Sequence, residues 1–388
     1  MKLDFYNCPK PGKIDMVDLP DAPEFVGYRP NFELLEQYAN KYRQYQKLLI
    51  IAHGGSLTTF LGYYHALRSE SKKDVYFLST VDPDYIAELK AELRKEDTLV
   101  VSISKSGENT THLEMTAQFL DYPMVVVTGK SSPLRALAEK LKLPIIEHPP
   151  IGGRYTGMTE VALLPAVLVG INTQILYRGA KEFYNLYNKD NLAWKAASVF
   201  SQLEQQGYVD VFLPFYAHAL FPMSALIVQL CHESFGKNGK GQTYLAAEAP
   251  ESQHHTNQRF FGGPKNIAGF FVGSDSFHHQ ILSRYPTQAH SVQIKSHSLF
   301  DLNNIPLEVS LKSELEGTLE DARIHGIPLA YLSISGFNAE ELGRFVAFWQ
   351  LYAVYSSVLR GVDPFDQPQV ENSKVISFNK RLQYKGLL

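Results

Sequence analysis

The chain has 388 residues, of which 45% are hydrophobic and 20% are charged. This is the composition of a globular protein and excludes extended disorder; at about 150 residues per domain, the length predicts two or three domains. The formal net charge of -3 gives no basic footprint for nucleic acid. The only two cysteines, Cys8 and Cys231, exclude a cysteine-rich zinc site and favour a reducing cytoplasm.

Neither the N-terminus nor the most apolar stretch has a pattern typical of export or membrane insertion. The N-terminal residues lack the apolar core of a secretory signal. The most apolar long stretch, residues 345–359, is too short to span a bilayer and follows charged residues. We interpret it as a buried core helix and expect no membrane association.

The first part of the chain alternates short apolar runs with helical patterns. The apolar runs predict strands over residues 48–52, 75–79, 98–102 and 124–128. The helical patterns cover residues 85–93, 111–120, 133–141 and a longer stretch, 160–176. Strands, Gly/Ser-rich turns and helices at this spacing are typical of βαβ units that build a parallel sheet.

The second part repeats this style. Strands are predicted over residues 209–214, 268–273 and 328–333, and helices over 224–230, 308–325 and 339–359. The tail, which contains two prolines, is predicted to be irregular before a last short element. The fold class is therefore α/β, with two three-layer α/β/α sandwiches, mainly parallel sheets and a doubly wound plan. The predicted domains are 1–190 and 191–360, followed by a tail, 361–388.

Two loops follow predicted strands and have the character of anion sites. Residues 104–111, Ser-Lys-Ser-Gly-Glu-Asn-Thr-Thr, open a helix and offer hydroxyls, backbone N–H groups and the positive end of the helix dipole. A phosphate monoester fits this loop best, although an ordinary N-cap turn has the same residue types. The His-Gly-Gly-Ser run at residues 53–56 is a second loop of this kind.

Three further segments hold residues suited to acid–base chemistry. The Gly-Gly pair before Arg154 lets the backbone approach a ligand, and the guanidinium beside it suits a developing oxyanion, or else pairs with a surface carboxylate. Glu233 ends an apolar helical run, where burial favours a general base; the alternative is a helix-end pair with Lys237. His254 and His255 are adjacent and point in different directions, so we expect an acid–base histidine and no metal site.

Taken together, these segments resemble the phosphoglucose isomerase family, whose fold consists of two sugar-isomerase domains. Residues 152–156, Gly-Gly-Arg-Tyr-Thr, with the Leu-Leu-Pro at 163–165, are similar to one family signature. Residues 233–237, Glu-Ser-Phe-Gly-Lys, are similar to another, and Gln229 lies four residues before it. The pair Gln253-His254, the Ser-Lys-Ser at 104–106 and the Phe-Asp-Gln at 365–367 complete the resemblance in the family's order.

The chain departs from the family pattern at a few positions. Gln369 replaces the signature glycine that precedes Val370-Glu371. The phosphate loop reads Glu-Asn-Thr-Thr at 108–111, which leaves open which threonine meets the phosphate, and the first loop lacks the glycine that follows Gly-Gly-Ser. The chain is also shorter than the better-known members. None of these differences removes a residue with an implied chemical role.

The resemblance implies a reversible aldose–ketose isomerisation of glucose 6-phosphate and fructose 6-phosphate, without a metal or organic cofactor. It implies that Glu233 transfers a proton between C2 and C1 through a cis-enediolate, that Arg154 stabilises this anion, and that His254 and Lys374 open the sugar ring. The implied substrate-binding residues are Ser56, Ser104, Lys105, Ser106, Thr110, Gly153, Gln229 and Gln367. The resemblance further implies a homodimer whose active sites are completed by the partner's histidine.

Two alternatives remain open at this stage. A dual phosphoglucose/phosphomannose isomerase would share every catalytic residue and differ only in the room for the C2 epimer. A non-catalytic sugar-phosphate sensor would need the phosphate loops but not Glu233, Arg154, His254 and Lys374, whose joint presence favours an enzyme.

Overall fold

A computed structural model describes residues 1–388 as twelve strands and fourteen α-helices, joined by turns and short 3-10 helices. The strands are β1 (Lys2–Tyr6), β2 (Lys47–Ile51), β3 (Asp74–Leu78), β4 (Thr98–Ser104), β5 (Met124–Thr128), β6 (Ile145–Glu147), β7 (Asp210–Phe215), β8 (Thr243–Glu248), β9 (Ile267–Ser274), β10 (Gln293–Ile294), β11 (His297–Ser298) and β12 (Leu329–Ile334).

The helices differ widely in length, from one turn to six. They are α1 (Glu24–Gly27), α2 (Phe32–Lys41), α3 (Gly55–Ala66), α4 (Pro83–Glu92), α5 (Thr110–Ala117), α6 (Pro133–Lys140), α7 (Glu160–Leu168), α8 (Thr173–Tyr184), α9 (Leu192–Gln205), α10 (Ser224–Phe235), α11 (Thr256–Gly262), α12 (Leu307–Ile324), α13 (Ala339–Arg360) and α14 (Glu371–Tyr384). None of them combines the length and the apolar character that a membrane span requires.

Two five-stranded sheets organise the chain. The first has the order β3-β2-β4-β5-β6 and is entirely parallel. The second has the order β1-β12-β9-β7-β8 and is parallel except for β1, which runs antiparallel to β12. The predicted α/β fold with mainly parallel sheets is confirmed.

Each sheet is covered by helices on both faces, which explains why its central strands read as continuous apolar runs. Alternate residues of β4 show the pattern: Val100 packs in a core with α4, α5 and α6, whereas Leu99 and Val101 face the opposite core. In the second sheet Phe212 and Phe271 face α11 and α12. The other faces of both sheets share one core of 75 buried residues, which joins the two halves of the molecule.

The close packing of α8 against α13 also joins the two halves. A Cβ atom on Gly179 would lie 1.9 Å from the carbonyl oxygen of Glu340, and one on Gly343 would lie 1.9 Å from that of Leu176. Any larger side chain would therefore separate the helices. The backbone contact between α8 and α13 fixes how the first half sits on the second.

Three expectations from the sequence are corrected by the structure. The helix predicted over 160–176 is two helices, α7 and α8, separated by a turn at Gly170, whose φ is +100°. The tail contains a helix of 14 residues, α14, rather than a short element. The domain limits stay a prediction with one exception: β1 is an edge strand of the second sheet, so the first residues do not belong to the first sheet's unit.

Candidate active site

A buried guanidinium lies at the centre of the site. Arg154, only 2% exposed, follows two glycines at the start of a 3-10 helix, Gly153–Met158. Its Nη1 donates to Glu233 Oε2 at 2.9 Å and to Gln367 Oε1 at 2.8 Å, and its Nε donates to Ser234 Oγ at 2.9 Å. A buried charge is tolerated when it is paired and fully hydrogen-bonded, and Arg154 meets both conditions.

The carboxylate of Glu233 is held from two sides while part of it stays open to solvent. Arg154 binds one oxygen, and Gln229 Nε2 donates to the other, Oε1, at 3.1 Å. The Glu233 side chain is 30% exposed, so a ligand can reach it. The amide oxygen of Gln229 is buried and has no hydrogen-bond partner. The arrangement orients a carboxylate without enclosing it, as a general base requires.

The segment 363–367 is bound by two buried cations. Arg154 Nη2 donates to the carbonyl oxygens of Pro364 at 2.6 Å and Asp366 at 3.1 Å. Lys237, whose side chain is 5% exposed, donates from Nζ to the carbonyl oxygens of Asp363 and Asp366, both at 2.7 Å, and to the Asp366 carboxylate at 2.5 Å. The segment therefore lies fixed against the guanidinium.

The topology of the second sheet explains why these residues meet. Helices α10 and α13 follow β7 and β12, which are parallel strands of one sheet, so both helices end at the same edge. Ser357 of α13 donates to the carbonyl oxygen of Ser234 of α10 at 3.1 Å. Glu233 lies in the last turn of α10, and the segment 363–367 continues from the end of α13.

The first loop touches the glycines that precede Arg154. A Cβ atom on Gly55 would lie 2.3 Å from the carbonyl group of Gly153 and from the backbone nitrogen of Arg154. Only glycine permits this approach. Ser56 is 7% exposed and lies beside Gly153. Its hydroxyl oxygen is 3.5 Å from the position that a Cβ atom on Gly153 would take. The loop of residues 53–56 is thus part of the same site.

The predicted phosphate loop joins β4 to the N-terminus of α5. Gly107, with φ +57°, turns the chain, and its N–H donates to Ser104 Oγ at 3.1 Å. Asn109 caps α5 by accepting from the N–H of His112. Lys105 donates to the carbonyl oxygen of Pro150, shortly before the Gly-Gly-Arg run, and burial lowers the pKa of its ammonium. The loop therefore faces the same region as Arg154.

Three histidines lie in or beside these loops: His112 and His148 are buried, and His53 is half-buried. The rings of His53 and His112 lie 6.1 Å apart, and His112 Nε2 is 2.9 Å from Ser102 Oγ. Burial lowers the pKa of His53 and lowers that of His112 to about 3. Burial also lowers the pKa of His148, which precedes the Gly-Gly-Arg run, to about 4. All three imidazoles are therefore neutral at pH 7.

Most of the predicted site residues lie in one hydrogen-bonded cluster or in the two loops beside it, whereas two of them make no hydrogen bond with the cluster. Arg154, Glu233, Gln229 and Gln367 form one hydrogen-bonded cluster with Gly153 beside it; Ser56, Ser104, Lys105, Ser106 and Thr110 line the two adjoining loops. His254 is exposed on the 3-10 helix Glu251–His254 and makes no hydrogen bond with the cluster, and its neighbour Gln253 donates to Tyr216 and Thr318 instead.

Lys374, to which the resemblance assigns a role in ring opening, makes no contact with Arg154 or Glu233. Its ammonium donates to Glu371 at 2.7 Å on the first turn of α14 and is exposed. The reason is the course of the tail, because α14 is attached to α5 by a bidentate ion pair between Arg381 and Glu114. Glu233 and Arg154 are therefore in contact, and the ammonium of Lys374 is paired with Glu371 instead.

Three contributors to the cluster were not assigned a role from the sequence. Ser234 binds Arg154 and the hydroxyl of Tyr155, and Lys237 and the carbonyl oxygens of the tail complete the arrangement. Ser234 and Lys237 lie within the Glu-Ser-Phe-Gly-Lys motif, so the motif was the available signal. Their partners are more than 70 residues away in sequence, and no local pattern predicts such contacts.

Curated relatives match the chain over most of its length. A probable glucose-6-phosphate isomerase of Methanococcus maripaludis is 26% identical over 361 residues, covering 87% of this chain and 79% of the relative. A glucose-6-phosphate isomerase of Mycoplasma mycoides is 28% identical over 389 residues, covering 92% of this chain and 88% of the relative. The chain is similar to the glucose-6-phosphate isomerases. The resemblance to phosphoglucose isomerases that the motifs indicated is thereby confirmed. No family model matches the chain.

Solved structures share the fold of the chain over most of its length. A hypothetical protein from Thermus thermophilus superposes with a TM-score of 0.83 at 25% identity, covering 92% of this chain and 89% of that one. A glucose-6-phosphate isomerase from Chlamydia trachomatis superposes with a TM-score of 0.77 at 20% identity, covering 91% and 73%. The latter likeness establishes the fold.

Proposed function

We propose that this chain is a glucose-6-phosphate isomerase, which interconverts the aldose glucose 6-phosphate and the ketose fructose 6-phosphate. The observation that carries the proposal is the cluster around Arg154, in which a partly exposed carboxylate, Glu233, is oriented by a buried guanidinium and an amide. This geometry suits proton transfer at a carbon next to a carbonyl group. The names of the relatives supply the substrate class.

In the proposed reaction Glu233 removes the proton from C2 of the open-chain sugar and returns it to C1. One carboxylate serves both steps because the two carbons are adjacent. The negative charge of Glu233 passes to O1 of the enediolate in the first step. The hydroxyl proton of O2 then moves to O1, which leaves the charge on O2, and protonation of C1 forms the C2 carbonyl group and returns the charge to Glu233. A positioned acid–base group of this kind contributes a factor of about 10²–10⁴ in rate.

Arg154 is proposed to stabilise the negative charge of the enediolate. A guanidinium has five N–H donors, and in this structure they meet Ser234, Glu233, Gln367 and the carbonyl oxygens of Pro364 and Asp366. Stabilising the enediolate therefore requires Arg154 to exchange one partner. Protonation of Glu233 removes the charge that pairs with Nη1, so this donor is the one released when the anion forms.

The phosphate is proposed to bind between the loops at residues 53–56 and 104–110. Hydroxyls of Ser56, Ser104, Ser106 and Thr110, the N-terminus of α5 and the ammonium of Lys105 offer donors and positive charge there. Anchoring the far end of the sugar places its reacting carbons at Glu233. This positioning lowers the reaction barrier, which binding alone does not.

We further propose a cytoplasmic homodimer in which His254 acts in ring opening at the partner's site. The exposure of His254, which makes no hydrogen bond with the Arg154 cluster, supports a role in trans. The two cysteines are free thiols, as in a reducing compartment. Lys374 has the role of proton donor in this scheme only if α14 shifts when the sugar binds.

The function is tested by supplying the purified protein with fructose 6-phosphate and measuring glucose 6-phosphate through a coupled dehydrogenase. We expect steady turnover without added metal. A parallel assay with mannose 6-phosphate separates a strict isomerase, which leaves it unchanged, from a dual enzyme, which converts it. Tight binding of fructose 6-phosphate with no turnover of either sugar would contradict the proposal and favour a sensor.

A further inference from the structure

Lys237 is a buried cation outside the set of residues that the proposed reaction uses. Its side chain is 5% exposed, and it lies two residues beyond the end of α10, on the same chain segment as Glu233. Burying an ammonium is costly unless each of its three N–H groups finds an acceptor. The position therefore calls for an explanation.

The acceptors of Lys237 all belong to the segment that carries Gln367. Nζ donates to the carbonyl oxygens of Asp363 and Asp366, both at 2.7 Å, and to the Asp366 carboxylate at 2.5 Å. The three contacts saturate the ammonium and hold two residues of one short segment. Beyond that segment the chain is exposed until Arg381, so Lys237 is its main anchor on the α10 side.

The same segment is bound by Arg154, and the two cations share an acceptor. The carbonyl oxygen of Asp366 accepts from Lys237 Nζ and also from Arg154 Nη2 at 3.1 Å. The next residue, Gln367, accepts from Arg154 Nη1, the nitrogen that binds Glu233. A displacement of Asp366 therefore reaches the base through the guanidinium.

We propose that Lys237 is a positioning residue of the isomerisation: it fixes the segment 363–367 so that Arg154 and Glu233 keep their reactive geometry. The inference rests on the proposed function. Lys237 itself does not contact the reacting atoms. Misplacement of a catalytic group by about 1 Å costs up to about 10²-fold in rate, and the loss falls on kcat more than on KM because the phosphate loops are untouched.

The test compares Lys237→Met with Lys240→Met. Methionine keeps the apolar stem and removes the donors, whereas Lys240 is an exposed neighbour whose Nζ donates only to the carbonyl oxygen of Arg360. We expect kcat for fructose 6-phosphate to fall about 10–100-fold in Lys237→Met, with KM changed less than about threefold. Lys240→Met keeps the wild-type kcat.

A second readout follows the tail itself. Phe365 packs against the ring of Tyr155, with centroids 5.3 Å apart, and release of the segment opens the bond after Phe365 to chymotrypsin. We expect the 1–365 fragment to form about tenfold faster from Lys237→Met than from wild type or Lys240→Met. Lys237→Arg, which keeps the charge and donors, recovers part of kcat and part of the protection.

The outcomes separate the inference from the function on which it rests. A wild-type kcat in Lys237→Met, or a loss equal to that in Lys240→Met, overturns the positioning role. A loss that only parallels the folded fraction measured by circular dichroism, with no recovery in Lys237→Arg, also overturns it. If the wild type itself shows no turnover, the proposed function fails, and the cleavage rates still decide whether Lys237 holds the tail.

Discussion

The proposed chemistry depends most directly on one residue, Glu233, and on its carboxylate. Its two oxygens accept from Arg154 and Gln229, and it is the only acidic side chain that Arg154 contacts. Because water competes for the exposed part of the Glu233 carboxylate, its ion pair with Arg154 contributes little to folding stability. The arrangement is better explained as a base kept in position.

Glu233→Gln should remove the isomerase activity and leave the fold intact. The amide oxygen replaces the acceptor for Arg154, and the new NH₂ group finds an acceptor if the amide of Gln229 turns to present its unpartnered oxygen. We expect kcat to fall by about 10²–10⁴-fold, the usual contribution of a general base, in the coupled assay. A folded variant that turns over at the wild-type rate would show that the base lies elsewhere.

At the scale of elements, the site depends on how closely loops and helix ends approach one another. The ends of α10 and α13 deliver Glu233 and the segment 363–367 to the same edge of the second sheet. From the first half, the start of α3 touches the backbone at Gly153 and Arg154. The guanidinium therefore lies where the two halves of the molecule meet.

Gly55→Ala tests whether this contact between loops controls the site. The added methyl would lie 2.3 Å from backbone atoms of Gly153 and Arg154, which cannot rotate away. We expect kcat/KM to fall about 100-fold and the melting temperature to decrease, as overpacking in a core predicts. The matched control is Gly317→Ala in α12, where nothing lies within 4 Å; alanine should stabilise that helix by about 0.5–1 kcal/mol.

Equal losses of activity in the two glycine variants, or none in either, would contradict a specific role for Gly55. Activity and thermal unfolding are therefore measured on the same preparations. A lower melting temperature without a change in kcat/KM would assign Gly55 to packing alone.

The sequence predicted the βαβ units well because their signals are local. For β5 the predicted and observed bounds coincide, and β2, β3 and β4 begin or end within two residues of the prediction. The single helix predicted over residues 160–176 was wrong because the turn at Gly170 lies inside an apolar run that hides it. The position of β1 was not predicted because it joins the second sheet by pairing with β12, more than 320 residues away.

The same distinction applies to the site. Arg154, Glu233 and Gln367 were found from short motifs and do lie together. The arrangement of these three residues could not be predicted from the sequence, because it depends on the contact of Lys237 with a segment 126 residues further along the chain. The position of Lys374 follows from the attachment of α14 to Glu114, a contact that no local pattern encodes.

For the whole molecule, burial of neutral histidines couples stability to pH. Folding lowers the pKa of His53, that of His112 to about 3 and that of His148 to about 4, in each case through burial. In the unfolded chain these groups titrate near about 6.5. Between that value and about 4 the unfolded state therefore binds protons that the folded state does not, and the free energy of unfolding decreases as the pH falls.

His112→Gln should flatten this dependence. Each histidine kept neutral in the fold contributes a slope of up to about 1.4 kcal/mol per pH unit between pH 6.5 and 4, and glutamine can still reach Ser102 without gaining a charge. Urea unfolding of wild type and variant between pH 8 and pH 4.5 measures the difference in the free energy of unfolding, which we expect to grow steadily in the variant's favour below about pH 6.5.

His279→Gln is the control, since His279 is exposed and folding does not enclose it; its profile should follow the wild type. Parallel curves for His112→Gln and wild type would mean that the fold takes up the proton at His112 without penalty, and the acid lability would then have to arise from other groups.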